Sequence, residues 1–258
     1  MRRIEELLEL AARLALRAGE AIMGLRAAGV TVARKGDQSP VTAADLAAEA
    51  IIAEGLEATG IPVVAEEAVA EGRAPQPGAA GRFWLVDPLD GTKEFAAGLP
   101  EFAVCIGLIE DGRPLLGALA LPATGELFAA LVPARLAWKE QAGARRTIAV
   151  RTAPTEGLTV LDSRSHSRPE AVSALLAGRR IARILAMGSA MKFARLAEGE
   201  ADAVPRPGPT MEWDTAAGQA IVEAAGGVVL DLSGAPLAYG KPGWRNAGFI
   251  AWGAGGAA

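Results

Sequence analysis

The sequence predicts an α/β fold that is α+β in its N-terminal half. Two observations carry this. From residue 158 onward, short apolar runs alternate with helical segments, the pattern of strands packed against helices. Before that, two helical segments are followed by back-to-back strands joined by tight turns. The polar run 141–146 separates the two patterns and divides the chain into domains 1–146 and 147–258.

The elements follow in order. Ile4, Leu7, Leu8, Ala11, Leu14, Ala15, Ala18 and Ile22 recur at helical spacing with charges on the other face. A polar loop with Gly36 and Pro40 comes next. Residues 43–56 read as a second helix, with Thr42 as its cap and Asp45 in its first turn. Residues 61–65 are β-like and end in Glu66-Glu67. Paired glutamates are ordinarily solvated surface, but a carboxylate at a strand's carboxyl end can also face a ligand crevice. Residues 69–81 are rich in Gly, Ala and Pro and read as a mobile loop.

The chain is organised around residues 84–95. An apolar strand there runs into Asp87-Pro88-Leu89-Asp90-Gly91-Thr92. Pro88 stiffens the turn, and Gly91 permits a backbone path closed to other residues. As turn formers, these residues could simply cap a helix. Two carboxylates aimed at one point, however, repel each other unless a cation sits between them. Hard divalent ions such as Mg²⁺ take such oxygen ligands. Strands at 102–109 and 114–121 follow, joined by an Asp-Gly turn, and 126–132 and 135–140 suggest a second hairpin. Residues 147–151 read as a linking strand. In the second half, strands are expected at 158–161, 181–186, 201–205, 228–230 and 249–251. Helices are expected at 169–177, from Gly188-Ser189 to 198, and at 215–225 behind Trp213-Asp214.

The chain has 258 residues, 51% of them hydrophobic, enough to fill a sizeable core. A net charge of −4 argues against a nucleic-acid polymer as partner. It leaves room for a small anion, because bound cations reverse the local field. The single cysteine, Cys105, sits in an apolar run and reads as a buried small hydrophobe. With one histidine, His166, the chain offers no obvious nucleophile for a covalent phosphoenzyme. Glu5, Glu6, Glu9, Arg13 and Arg17 break any signal-peptide core, and no stretch is apolar enough to span a membrane. A cytoplasmic location is the default expectation.

Glu67, Asp87, Asp90 and Asp214 all stand at element ends, where together they could hold two or three Mg²⁺ ions around one phosphate. Two metals roughly 3.5–4 Å apart would clamp the attacking and leaving oxygens of an in-line displacement. The water nucleophile needs a proton acceptor, which a Thr92–Asp45 hydroxyl–carboxylate relay could supply. The ordinary reading of Asp214 is a cap on the 215–225 helix, and that of Asp45 is dipole complementation.

The runs Asp87-Pro88-Leu89-Asp90-Gly91-Thr92 and Trp213-Asp214-Thr215-Ala216-Ala217-Gly218, with Glu66-Glu67 upstream, resemble the inositol monophosphatase superfamily of Mg²⁺-dependent, lithium-sensitive phosphomonoesterases. The resemblance covers nearly the whole chain. It implies a layered αβαβα sandwich. It implies Glu67, Asp87, Asp90, Asp214 and the Leu89 carbonyl as metal ligands, with Asp45 and Thr92 activating water. It places Gly91 and Thr92 N–H groups on the phosphate. Dimers occur in the superfamily, so a homodimer is an implied partner. Lys35-Gly36-Asp37-Gln38-Ser39-Pro40, Ser163-Arg164-Ser165-His166, Gly188-Ser189-Ala190-Met191-Lys192-Phe193 and Gly208-Pro209-Thr210 resemble the CysQ branch. That branch removes the 3′-phosphate of adenosine 3′,5′-bisphosphate in sulfate assimilation. By this resemblance Ser163, Arg164, His166, Ser189 and Lys192 bind the substrate. A bisphosphate needs cationic and hydroxyl partners beyond the metals, which fits those residue types. The alternatives are an inositol or fructose-1,6-bisphosphate phosphatase with the same metal site, and a catalytically silent nucleotide or metal sensor.

Overall fold

The computed structural model describes residues 2–29, 32–34, 40–76 and 81–256, the side chains of 2, 32–34 and 40–42 excepted. The expected recognition run Lys35-Gly36-Asp37-Gln38-Ser39, residues 77–80 of the expected loop and the capping hydroxyl of Thr42 lie outside the described residues. The first half consists of α1 (Arg2–Ala27), β1 (Val32–Arg34), β2 (Pro40–Thr42), α2 (Ala43–Glu57), β3 (Val63–Ala65), α3 (Glu66–Ala70), β4 (Arg82–Asp90), α4 (Thr92–Ala96), β5 (Ala103–Glu110), β6 (Arg113–Leu121), β7 (Glu126–Leu131), β8 (Leu136–Gln141) and β9 (Ala144–Thr147). The second half adds β10 (Leu158–Ser163), α5 (Pro169–Leu175), β11 (Ile181–Met187), α6 (Met191–Ala197), β12 (Ala203–Arg206), β13 (Thr210–Met211), α7 (Trp213–Ala224), β14 (Val228–Asp231), β15 (Arg245–Asn246) and β16 (Phe249–Trp252).

Strands β3 to β9 form one sheet in sequence order, antiparallel except for the parallel β3–β4 pair. The polar run 141–146 is therefore the β8–β9 hairpin, and 147 closes this sheet instead of opening a link. The second sheet runs β11-β10-β12-β16-β14, with β10 parallel to both its neighbours and β16 antiparallel to β12 and β14.

Alternation along the strands builds the layers. Val104, Ile106, Leu108, Leu116, Ala118 and Leu127 face α1 and α2 in one apolar cluster. Their neighbours Ala103, Cys105, Leu119 and Phe128 face the other way, onto α6 and α7. Leu161, Val204, Val229 and Ala251 of the second sheet close on those same two helices. Its opposite face, Val160, Ala203, Ile250 and Trp252, packs on Val172 and Leu176 at α5. The result is an αβαβα stack in which both halves share the central helical layer.

That layer is set close to the first sheet. Gly107 and Gly117 are cross-strand partners. A Cβ on the first would stand 2.7 Å from Ala216 Cβ, and on the second 2.6 Å from the Ala217 carbonyl oxygen. Only glycine permits so close an approach of helix to sheet. Cys105 is buried, as expected. Among the described residues no helix is long and apolar enough to cross a membrane.

Candidate active site

β4 delivers the central motif. Its pairing with β5 slips between Asp87 and Asp90. Pro88 falls inside the slip, where it has no N–H to give the ladder. Asp87 closes the local turn by accepting the Leu89 N–H at 3.0 Å. Gly91 then takes φ 91°, and a Cβ there would meet the Glu101 carbonyl oxygen at 2.7 Å. Left-handed φ and close approach both demand glycine. The chain leaves this turn into α4 with Thr92 as its first residue. Thr92 Oγ lies 3.0 Å from the Leu89 carbonyl and 3.4 Å from Asp45 Oδ1. Asp45 is 2% exposed on α2.

A cavity of about 280 Å³ opens at this turn. Its acidic wall is Glu66, Asp87, Asp90 and Asp214. This corrects the assignment of Glu67. Glu49 accepts the backbone N–H groups of Glu67 (2.9 Å) and Ala68 (3.1 Å), capping α3. The cap sets the helix phase so that Glu66 lines the cavity, while Glu67, 4% exposed, is not among its lining residues. Successive helical side chains point about 100° apart, so only one of the pair can face the site. Asp214 is the second residue of α7, not its cap, and accepts the Met211 N–H at 2.8 Å. Asp90 accepts the Ala190 N–H.

Burial raises the Asp87 and Asp214 carboxyls well above their ordinary range, and neighbouring carboxylates add to it. Asp90 is pushed up to about 6, mainly by burial, against the pull of Lys192 and the Ala190 N–H. Such a wall resists ionisation unless a cation compensates it.

The basic wall comes from the second half and from α4. Lys192 Nζ donates to the carbonyls of Met187 (3.2 Å) and Ser189 (2.6 Å). Burial lowers its pKa to about 8. Ser189 holds φ 53°, and Ser163 Oγ accepts the His166 N–H at 3.2 Å. His166 Nε2 lies 3.1 Å from Lys93 Nζ, and its pKa is lowered by burial first and by that ammonium second. Ser163, His166, Ser189 and Lys192 all line the cavity, as do Gly91 and Thr92.

Arg164 does not line it. Its guanidinium grips Glu101 (Nε–Oε2 2.7 Å, Nη2–Oε1 2.5 Å) and the Ala186 carbonyl, so the charge is spent on the rim. In its place stands Arg206, the last residue of β12, which sequence reasoning missed. Its buried Nε has no hydrogen-bond partner among the described residues. The available signal was a cation at a strand end beside Pro207 and Gly208. Lys93 and Glu94 also line the cavity unannounced.

Among the described residues, no three His, Cys, Asp or Glu side chains are already gathered to hold a metal ion. The donor set nevertheless fits a hard divalent cation. It is all oxygen, carboxylates plus the Leu89 carbonyl, on a buried wall whose charge needs compensation.

Comparison with known proteins gives a consistent picture. The family model described as "Inositol monophosphatase family" matches residues 3–251. The 3′(2′),5′-bisphosphate nucleotidase CysQ of Salmonella typhimurium is 44% identical over 248 residues, covering 94% of this chain and 98% of the relative. Its namesake from Escherichia coli K12 is 41% identical with the same coverage. The crystal structure of CysQ from Bacteroides thetaiotaomicron superposes with a TM-score of 0.80 at 33% identity, covering 96% of this chain and 97% of that one. An inositol monophosphatase from Anabaena sp. PCC 7120 superposes with a TM-score of 0.75 at 27% identity, covering 97% and 91%.

Proposed function

The chain belongs to the inositol monophosphatase family, and from that premise we propose that it is a Mg²⁺-dependent 3′(2′),5′-bisphosphate nucleotidase, removing the 3′-phosphate of adenosine 3′,5′-bisphosphate. The observation that carries this is the two-walled cavity. An acidic wall at Asp87, Asp90 and Asp214 faces a basic wall at Lys192 and Arg206. A monophosphate needs the first wall alone. A bisphosphate also uses the second, for the phosphate that is kept.

Glu66, Asp87, Asp90, Asp214 and the Leu89 carbonyl would hold the Mg²⁺ ions, two or three of them. Bound there, Mg²⁺ offsets the phosphate's charge, polarises it and lowers the pKa of water. The protein's own groups do the rest. The N–H groups of Gly91 and Thr92 orient the phosphate. Thr92 Oγ accepts the water's proton as it passes its own to Asp45, a relay of hydroxyl and carboxylate. The carboxyls of the acidic wall stay ionised once their charge is compensated. Lys192 and Arg206 fix the second phosphate, Arg206 by a guanidinium fork suited to phosphate oxygens. Ser163, Ser189 and His166 supply hydroxyl and imidazole contacts around it. The substrate is thus a small phosphorylated molecule.

The test is phosphate release with Mg²⁺ from adenosine 3′,5′-bisphosphate, inositol 1-phosphate and fructose 1,6-bisphosphate at equal concentrations, for wild type and Lys192→Ala. The expected result is preference for the nucleotide in wild type. In the variant, KM for the nucleotide should rise roughly tenfold or more, about the worth of one charged hydrogen bond. Preference for inositol or fructose phosphate would overturn the nucleotidase reading while keeping the phosphatase. No release from any substrate would favour a silent sensor.

A further inference from the structure

Residues 164–168 form an exposed loop with no buried side chain of its own. Something else must hold it over the cavity. At its base, Asp162 accepts the Ser163 N–H at 2.7 Å and the Ser167 hydroxyl. Its outer part is held by the segment that begins with Thr92. Three successive loop residues meet three residues of that segment: Arg164 pairs with Glu101, Ser165 donates to Glu94 Oε1, and His166 meets Lys93.

Glu94 stands out among these partners. It is 5% exposed, whereas Glu101 and Lys93 are not buried. It also abuts the turn that leads into α6: a Cβ on Gly188 would stand 2.8 Å from Glu94 Cγ and 3.0 Å from Glu101 Oε2. Glu101 binds that same turn through the Gly188 N–H at 2.6 Å. One buried carboxylate thus touches two of the segments that line the basic side of the cavity, 163–166 and 188–192; Arg206 comes separately, from β12. Its sign is wrong for a phosphate ligand, so its value lies in the hydrogen bond and the packing.

We propose that Glu94 is the positioning residue for recognition of the retained phosphate, latching the 163–167 loop and the 188–192 turn onto the helix that carries Thr92. This rests on the nucleotidase reading. The latch ties substrate choice to catalysis, because the helix presenting the water-activating hydroxyl also holds the loop that reads the second phosphate. A surface carboxylate in an ion pair would be worth little. A buried acceptor left without its donor, or a donor without its acceptor, costs more.

The test uses the full chain with Mg²⁺ and the variants Glu94→Ala, Glu94→Gln and Ser165→Ala. KM and kcat are measured on adenosine 3′,5′-bisphosphate and on adenosine 3′-monophosphate, which lacks the second phosphate. Amide hydrogen exchange of residues 163–167 is followed in parallel. Glu94→Ala and Ser165→Ala should raise KM for the bisphosphate roughly tenfold, the scale of one lost hydrogen bond. Their kcat, and KM for the monophosphate, should move less than about threefold. Exchange of 163–167 should quicken in both. Glu94→Gln keeps the acceptor and should stay within about threefold of wild type. A glutamine variant as impaired as the alanine variant overturns the latch, since the charge would then be what matters. Equal KM increases on both substrates, or unchanged kinetics, overturn it too. Should Glu94→Ala fail to fold, Ser165→Ala on the exposed loop carries the test. A wild type inactive on the bisphosphate would sink the nucleotidase reading instead. The latch would then be judged by exchange alone, and unchanged exchange of 163–167 would refute it.

Discussion

Asp90→Asn is expected to lower the rate of phosphate release by roughly a thousandfold, about 4 kcal/mol of barrier, while stabilising the metal-free protein. Both effects have one cause. Asp90 is buried beside other carboxylates and is pushed up from 3.8 to about 6. The metal-free fold therefore disfavours its ionised form, which is the form a cation needs. Asparagine keeps an acceptor for the Ala190 N–H but brings no charge. Below about pH 4 the wild-type carboxyl is neutral in folded and unfolded chains alike, and the substitution should change little. Above about pH 6 the wild-type fold carries the full cost of the ionised group. In EDTA, the variant's melting temperature should climb relative to wild type between about pH 4 and 6, by roughly 2–4 °C per kcal/mol relieved. A variant that retains full activity would remove Asp90 from the cation-holding set. A melting difference that shrinks across that window would refute the electrostatic account.

Thr92→Val should cut kcat by roughly 10²–10⁴, the usual worth of a positioned proton-transfer group, with KM little changed. Valine matches threonine in shape and removes only the hydroxyl. That hydroxyl has one proton and two acceptors, Leu89 O at 3.0 Å and Asp45 Oδ1 at 3.4 Å. Were the Leu89 carbonyl to hold a cation, as proposed, the proton would be left to Asp45. Thr92→Ser restores the hydroxyl and should recover activity to within about tenfold of wild type. Steady-state kinetics at saturating Mg²⁺ decide the matter, and a valine variant with near-normal kcat would exclude the relay.

Much of the acidic wall was legible in the sequence, because local rules govern it. Asp87, Pro88, Asp90, Gly91 and Thr92 lie within six residues, and a strand running into a glycine turn can point its carboxylates only a few ways. Of the Glu66–Glu67 pair the sequence reading takes Glu67, whereas Glu66 is the one that lines the cavity. Their phase depends on where α3 starts, which Glu49 sets from 18 residues upstream. Asp214 is legible as a candidate metal ligand, but its helix is expected only from residue 215; α7 begins at Trp213, which is buried in one cluster with Phe83 and Tyr239. The basic wall was harder still. Arg164 and Arg206 are both cations near strand ends, and nothing local tells them apart. Glu101, 63 residues away, claims the first, and the antiparallel pairing of Arg206 with Phe249 fixes the strand that carries the second. The five-layer stack is expected from the family resemblance, and strand alternation builds it. The sharing of α6 and α7 by both sheets does not, since it depends on contacts that span the two halves.

The glycine-lined seat of α7 has a consequence for biosynthesis. The first sheet is complete in the nascent chain once Thr147 has been added, but its inner face is covered only by residues 191–224. At about 5–20 residues per second, Cys105, Leu119 and Phe128 wait on the order of seconds for that cover. The helix that finally seals them is the one that brings Asp214. On the proposed role of Asp214, maturation and activation would be a single event. A growing chain is an aggregation hazard for chaperones to shield, and on that proposal it would also lack one of its cation-holding carboxylates until its last long helix has docked.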